Sequence, residues 1–72
     1  MLFADSQDIR RCMEVVKIEL EKKNITVKES ILKEITKDIM NISYSTGGDY
    51  SNKIVRAYAE GYIGSGLYKK FL

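Results

Sequence analysis

The side chain best suited to covalent chemistry is Cys12, the only cysteine in the chain. A thiolate is a strong nucleophile, and cations such as Arg10 and Arg11 can favour it. Residues one or two positions apart point in different directions on a helix, however. The sequence also contains no histidine that could act as a base. We therefore interpret Cys12 as a small, half-buried apolar residue and predict no catalytic residue.

Paired carboxylates are a second candidate for chemistry. Glu34 and Asp38 are four residues apart, so they share one helix face and could serve glycoside hydrolysis or bind a divalent cation. Lys33 and Lys37 alternate with them, which is typical of a solvated face of mixed charge. One cysteine without histidine leaves too few ligands for a zinc site. We predict neither a metal nor a cofactor.

The segment 61–66, Gly-Tyr-Ile-Gly-Ser-Gly, is rich in glycine. It does not match the glycine motifs of dinucleotide-binding or phosphate-binding loops. Its G-x-x-G spacing occurs in loops that clamp a nucleic-acid backbone, but Tyr62 and Ile63 stand where basic residues would be expected. We interpret the segment as a helix end and a turn, with Gly64 as the residue that follows the helix.

The C-terminal third differs from the rest of the chain in charge and in aromatic content. Residues 1–48 hold eight basic and eight acidic side chains, whereas residues 49–72 hold four basic and two acidic ones and four of the five tyrosines. Tyrosine and arginine are enriched at the hot spots of protein interfaces. Basic residues interleaved with aromatics can also bind nucleic acid, although four cations are few for that purpose.

We predict that this third contacts a protein partner through Tyr50, Arg56, Tyr62, Tyr68 and Phe71. In the alternative, nucleic acid is bound through Lys53, Arg56, Lys69 and Lys70. A third interpretation places Tyr58 and Tyr62 in the core with their hydroxyls at the surface.

The spacing of apolar residues predicts the elements that would position these side chains. Ile9, Met13, Val16 and Leu20 recur at intervals of four, three and four, which is one stripe of a helix. Similar apolar stripes along the rest of the chain predict an all-α fold. It is a compact bundle of three helices at about 6–23, 27–42 and 50–63, with a short C-terminal helical turn at 66–72.

Local signals mark the ends of the first two helices. Asp5 is a suitable N-cap for the first helix, and Asn24 tolerates the left-handed conformation that ends it. Thr26 and Glu29 have the spacing of a capping box, which predicts the start of the second helix.

The link to the third helix contains Gly47 and Gly48. We predict a loop over 43–48 rather than a short β-hairpin, because the sequence soon becomes helical again. Asp49 or Ser51 can cap the helix that follows.

The 72 residues and 8.3 kDa leave room for one small domain, 1–72. Domains this short rarely gain more than about 3–5 kcal/mol from the core alone. One cysteine cannot form an internal disulfide, so we expect packing to be completed by a partner or by a homodimer.

The function predicted from these features is non-catalytic. We expect a cytoplasmic helical protein that binds another macromolecule, a protein first of all, as a regulator, inhibitor or adaptor of the kind that phages and plasmids encode. A small nucleic-acid-binding protein is the alternative. The chain could also be a fragment of a larger assembly. No apolar run approaches the ~20 residues of a membrane span, and the first residues do not resemble a signal peptide.

Overall fold

The computed structural model describes residues 5–72. These residues fold into three α-helices and a short 3-10 turn. Helix α1 comprises Ser6–Lys22, α2 Glu29–Ser45 and α3 Asn52–Gly64. The 3-10 turn Leu67–Phe71 is named the C-terminal turn. The described residues are 76% helical without a strand, which confirms the predicted all-α bundle. Residues 1–4, the start of the predicted domain, lie outside the described residues.

The three helices pack pairwise around one core, and the C-terminal turn packs against α2 and α3. The Cα radius of gyration is 10.8 Å, close to the about 11 Å expected for a folded domain of this length. Each helix turns one apolar stripe inward. The buried apolar residues are Cys12, Val16, Leu20, Leu32, Ile35, Ile39, Met40, Val55, Ala59, Tyr62, Ile63 and Tyr68.

The predicted ends of α1 are confirmed. The Asp5 side chain accepts a hydrogen bond from the Asp8 amide at 2.8 Å, and this satisfies one free donor of the first turn. Asn24 adopts a φ of 58°, the left-handed conformation in which the chain leaves the helix.

The predicted capping box at the start of α2 is wrong. Lys28 occupies the N-cap position, and no side chain caps the helix. Ile25 and Val27 are both half-buried against the core, while Thr26 between them is exposed. An extended segment places alternate side chains on opposite faces. Burial of the two apolar side chains therefore favours extended backbone where the capping box would have begun the helix.

The connection from α2 to α3 is a loop, as predicted, but α2 continues to Ser45 rather than ending near 42. Gly47 has a φ of 85°. A Cβ at Gly48 would lie 2.8 Å from the Ser43 hydroxyl oxygen, which leaves room only for glycine. That hydroxyl donates to the Asp49 carbonyl at 2.8 Å. The tight packing holds the loop against the end of α2.

The helix α3 ends one residue later than the predicted 63, and the left-handed residue after it is Gly66 rather than Gly64. Gly64 is the last residue of the helix, and Gly66 takes the left-handed conformation, with a φ of 81°. The N-cap of α3 is Ser51, one of the two predicted candidates. Within residues 5–72, none of the helices combines the length and the hydropathy that a bilayer span requires.

Candidate functional site

An apolar groove of about 190 Å³ lies between α2 and α3 and reaches the C-terminal turn; we name it the α2–α3 groove. Leu67 of the C-terminal turn stands at its end and is 49% exposed. One exposed leucine is ordinary, but this leucine adjoins a groove without a charged residue in its lining. The other lining residues are Ile39, Ile42, Ala57, Tyr58, Gly61 and Tyr62.

Gly61 leaves the backbone of α3 open to this groove. A Cβ at Gly61 would meet no atom within 4 Å. Glycine inside a helix costs about 1 kcal/mol relative to alanine. The fold of the chain therefore supplies no steric reason for Gly61, and another molecule could approach the helix closely there.

Three elements meet at one carboxylate oxygen beside the groove. Asp38 of α2 accepts a hydrogen bond from the Tyr62 hydroxyl of α3 at 2.6 Å. The same oxygen, Oδ2, lies 2.6 Å from Nζ of Lys70 in the C-terminal turn. We name these three residues the Asp38 cluster. It ties the turn to both helices that form the groove.

The Asp38 cluster shifts the pKa values of two of its members. Burial alone would raise the pKa of Asp38, but the hydrogen bonds and charge supplied by Lys70 and Tyr62 outweigh it and lower that pKa. The pKa of Tyr62 is raised, first by burial and then by its hydrogen bond to the Asp38 carboxylate. Asp38 therefore stays ionised, and Tyr62 stays a hydrogen-bond donor, at neutral pH.

Two of the five predicted partner-binding residues lie in the core. Tyr62 is 4% exposed and Tyr68 is 9% exposed, which leaves little of either ring for a partner. This matches the interpretation of Tyr62 as a core residue, except that its hydroxyl is bonded to Asp38 rather than to water. Phe71 is half-buried beside them, with the Lys70 ammonium 5.3 Å from its ring centre.

Arg56 lies on a different surface. It is exposed and borders a groove of about 270 Å³ between α1 and α3 that also contains Ile18, which is 52% exposed. Glu19 and Lys22 line this second groove as an ion pair at 2.8 Å. The predicted contact residues are thus distributed over separate surfaces.

Tyr50 lies in the loop before α3. Its ring stacks on that of Tyr44, with centroids 6.2 Å apart and planes at 22°. The Tyr50 hydroxyl is buried and has no hydrogen-bond partner among the described residues. The ring is half-buried against the core, so Tyr50 supports the loop more than it extends from the surface.

The predicted nucleic-acid residues differ in their availability. Lys53, Arg56 and Lys69 are exposed and form no ion pair within residues 5–72. Lys70, in contrast, forms an ion pair with Asp38. Lys53 and Arg56 lie on the first half of α3, whereas Lys69 lies in the C-terminal turn beyond its far end.

The residues that the sequence offered for chemistry, Cys12 and the pair Glu34 and Asp38, contribute to packing and to ion pairs or face the solvent. Cys12 is fully buried, and burial raises the pKa of its thiol, aided by Asp8 and opposed by Arg11. A protonated thiol is a poor nucleophile. Glu34 is exposed, whereas its predicted partner Asp38 binds Tyr62 and Lys70. Within residues 5–72 there is no group of three or more residues able to hold a metal ion.

The G-x-x-G segment is helical and is not a loop, since both glycines belong to α3. The sequence prediction placed Gly61 inside the third helix and Gly64 just after it, and it did not predict the groove. The available signal was the four-residue interval between Ala57 and Gly61, which places two small side chains on one helix face.

Comparison with protein-family models, curated proteins and solved structures finds no match to the chain.

Proposed function

We propose that this chain is a non-catalytic protein that binds another protein through the α2–α3 groove, as a regulator, inhibitor or adaptor. The observation that carries the proposal is the half-exposed Leu67 at the end of an open groove with no charged lining residue. Burial of apolar surface is the main driving force of protein association. A partner that fills the groove would cover Leu67 and the open backbone at Gly61.

The lining favours a protein over a nucleic acid. Nucleic-acid binding is dominated by contacts from lysine and arginine to phosphates. The α2–α3 groove offers neither of these residues in its lining. Apolar residues in the centre and polar residues at the edge are the usual arrangement of a protein interface. The Asp38–Lys70 ion pair supplies such a polar edge here.

The single thiol is compatible with the cytoplasm, the compartment in which we expect this protein to act. Cys12 is free and buried, and free thiols persist in the reducing cytoplasm. We therefore propose that binding takes place in the cytoplasm.

The test compares two substitutions of matched chemistry on different grooves. Leu67→Asp places a charge in the α2–α3 groove, and Ile18→Asp places one in the groove between α1 and α3. Both side chains are about half exposed, so both variants should fold, which circular dichroism checks. The immobilised wild-type chain and both variants are exposed to a lysate of the organism that encodes the chain. A protein that the wild type and Ile18→Asp capture, and that Leu67→Asp does not, is then purified. Its affinity for each of the three chains is measured.

We expect direct binding that Leu67→Asp weakens at least tenfold and Ile18→Asp leaves within twofold, since burying an unpaired charge at an apolar contact is costly. Equal binding by both variants would contradict the assignment of the groove. If the captured molecule is the chain itself, the groove joins two copies. Capture of nucleic acid that depends steeply on salt would favour the alternative function.

A further inference from the structure

We propose that the C-terminal turn is a strap that opens and closes over the edge of the α2–α3 groove, and that the ion pair between Lys70 and Asp38 is its latch. This inference rests on the proposed function only for the purpose of the opening, which is to admit a partner to the α2–α3 groove. The movement itself depends only on how the turn is attached to the helices.

The backbone of the strap is hydrogen-bonded only within its own end of the chain. The Lys69 amide donates to the Gly66 carbonyl at 3.1 Å, and the Leu72 amide donates to the Lys69 carbonyl at 3.1 Å. Among the described residues, no backbone hydrogen bond joins the strap to α1 or α2. Gly66, with a φ of 81°, separates it from α3. A glycine adopts several conformations at little cost, so the strap can turn about this residue.

Side chains alone hold the strap against the bundle. Tyr68 is its only buried residue, with 9% of its surface exposed, and Phe71 is half-buried. Leu67 is 49% exposed, and Leu72, which follows the turn, is 74% exposed, so these two apolar side chains gain little from the closed position. One buried ring, one partly buried ring and one ion pair are few contacts, and segments with few contacts open before the fold as a whole.

The latch can break without separating α2 from α3. Asp38 Oδ2 receives both the Lys70 ammonium and the Tyr62 hydroxyl. When Lys70 leaves, the hydrogen bond from Tyr62 to Asp38 still joins the two helices. The walls of the groove therefore persist while the strap is open, which distinguishes opening from unfolding.

Opening would change the groove at the end where Leu67 lies. Leu67 would move outward with the strap and stay exposed, so a partner could still contact it, and the groove would widen at that end. A partner that binds this enlarged groove better than the closed one would shift the population towards the open strap.

The test measures amide hydrogen exchange in the full chain by NMR. Lys70→Met removes the latch, and Lys69→Met is the matched control because Lys69 is the adjacent exposed lysine and forms no ion pair within residues 5–72. We expect Lys70→Met to accelerate exchange at Lys69 and Leu72 roughly two- to fivefold, the range for a partly exposed ion pair. Exchange in α1 and α2 should remain as in the wild type, and Lys69→Met should match the wild type throughout.

Two results would overturn the strap. One is an equal acceleration in α1, α2 and the C-terminal turn, because the turn would then open only by global unfolding. The other is identical exchange in Lys70→Met and Lys69→Met. Asp38→Asn removes the same ion pair from the other side and should also accelerate exchange in the C-terminal turn; only the turn is compared in this variant, because it also weakens the hydrogen bond from Tyr62. Neither result bears on the capture experiment with Leu67→Asp, so the strap and the proposed function can fail separately.

Discussion

Arg11 and Tyr50 are 39 residues apart in the sequence, yet the Arg11 guanidinium donates a hydrogen bond to the Tyr50 carbonyl at 2.7 Å. The same guanidinium also donates to the Asn52 side chain. Through these contacts α1 holds the loop that leads into α3 and the first residue of α3.

Replacing Arg11 with methionine should lower the free energy of unfolding by about 1 kcal/mol, because the Tyr50 carbonyl loses a charged donor at a partly exposed site. Urea denaturation followed by circular dichroism measures the change. Arg10→Met is the control, since Arg10 is exposed and forms no ion pair within the described residues. Equal stability of the two variants would show that the contact adds nothing.

The hydroxyl of Tyr62 predicts a stability change at alkaline pH. Its pKa is raised in the folded chain, so this group contributes stability that is complete below about pH 10, the ordinary value. That stability falls as pH rises towards the folded pKa, because the unfolded tyrosine ionises first. Tyr62→Phe should be about 1 kcal/mol less stable than the wild type at pH 7. The difference should shrink between pH 10 and 11.5.

Urea midpoints at closely spaced pH values test this prediction. Other tyrosines and the lysines titrate in the same range, but they are common to both proteins and cancel in the comparison. A constant difference from pH 7 to pH 11.5 would mean that folding does not raise the pKa of Tyr62, which contradicts the buried hydrogen bond to the Asp38 carboxylate.

The helices and their inward faces could be predicted from the sequence because they depend on local spacing. The stripe of α1 and the Asp5 cap involve residues within one or two turns of each other. The prediction of a capping box was wrong because the interactions that oppose it are not local in the sequence. Ile25 and Val27 gain their burial from residues distant in the sequence, and a four-residue signal does not register that gain.

The candidate site was less predictable for a similar reason. Composition drew attention to the tyrosines of the C-terminal third, but composition does not distinguish a ring that faces a partner from one that faces the core. Tyr68 is buried because Gly66 turns the chain back onto α2 and α3. Asp38 lies 32 positions before Lys70, so no local spacing in the sequence indicates this ion pair.

Two glycines near the end of α3 should respond in opposite ways to alanine. At Gly61 a Cβ meets no atom within 4 Å, so Gly61→Ala should stabilise the free chain by roughly 0.5–1 kcal/mol. At Gly66 the φ of 81° disfavours a side chain, so Gly66→Ala should destabilise it by about 1 kcal/mol. Thermal unfolding compares the two variants with the wild type.

Gly61→Ala also bears on the groove. A partner that approaches the α3 backbone closely at this point should bind the alanine variant more weakly, although that variant is the more stable protein. Loss of stability in Gly61→Ala would indicate that the helix is already crowded there, which contradicts the open groove.

The buried hydroxyl of Tyr50 leads to the last prediction. It has no hydrogen-bond partner among the described residues, and a buried group left unsatisfied costs about 1–3 kcal/mol. Tyr50→Phe keeps the ring and its stacking on Tyr44, so it should raise the free energy of unfolding by about 1 kcal/mol. Tyr58→Phe is the matched control, because the Tyr58 hydroxyl is bonded to Thr46 at 2.7 Å and its removal should cost stability. If urea denaturation instead finds Tyr50→Phe less stable than the wild type, the hydroxyl has a partner such as a buried water, and the loop before α3 is held more firmly than its protein contacts indicate.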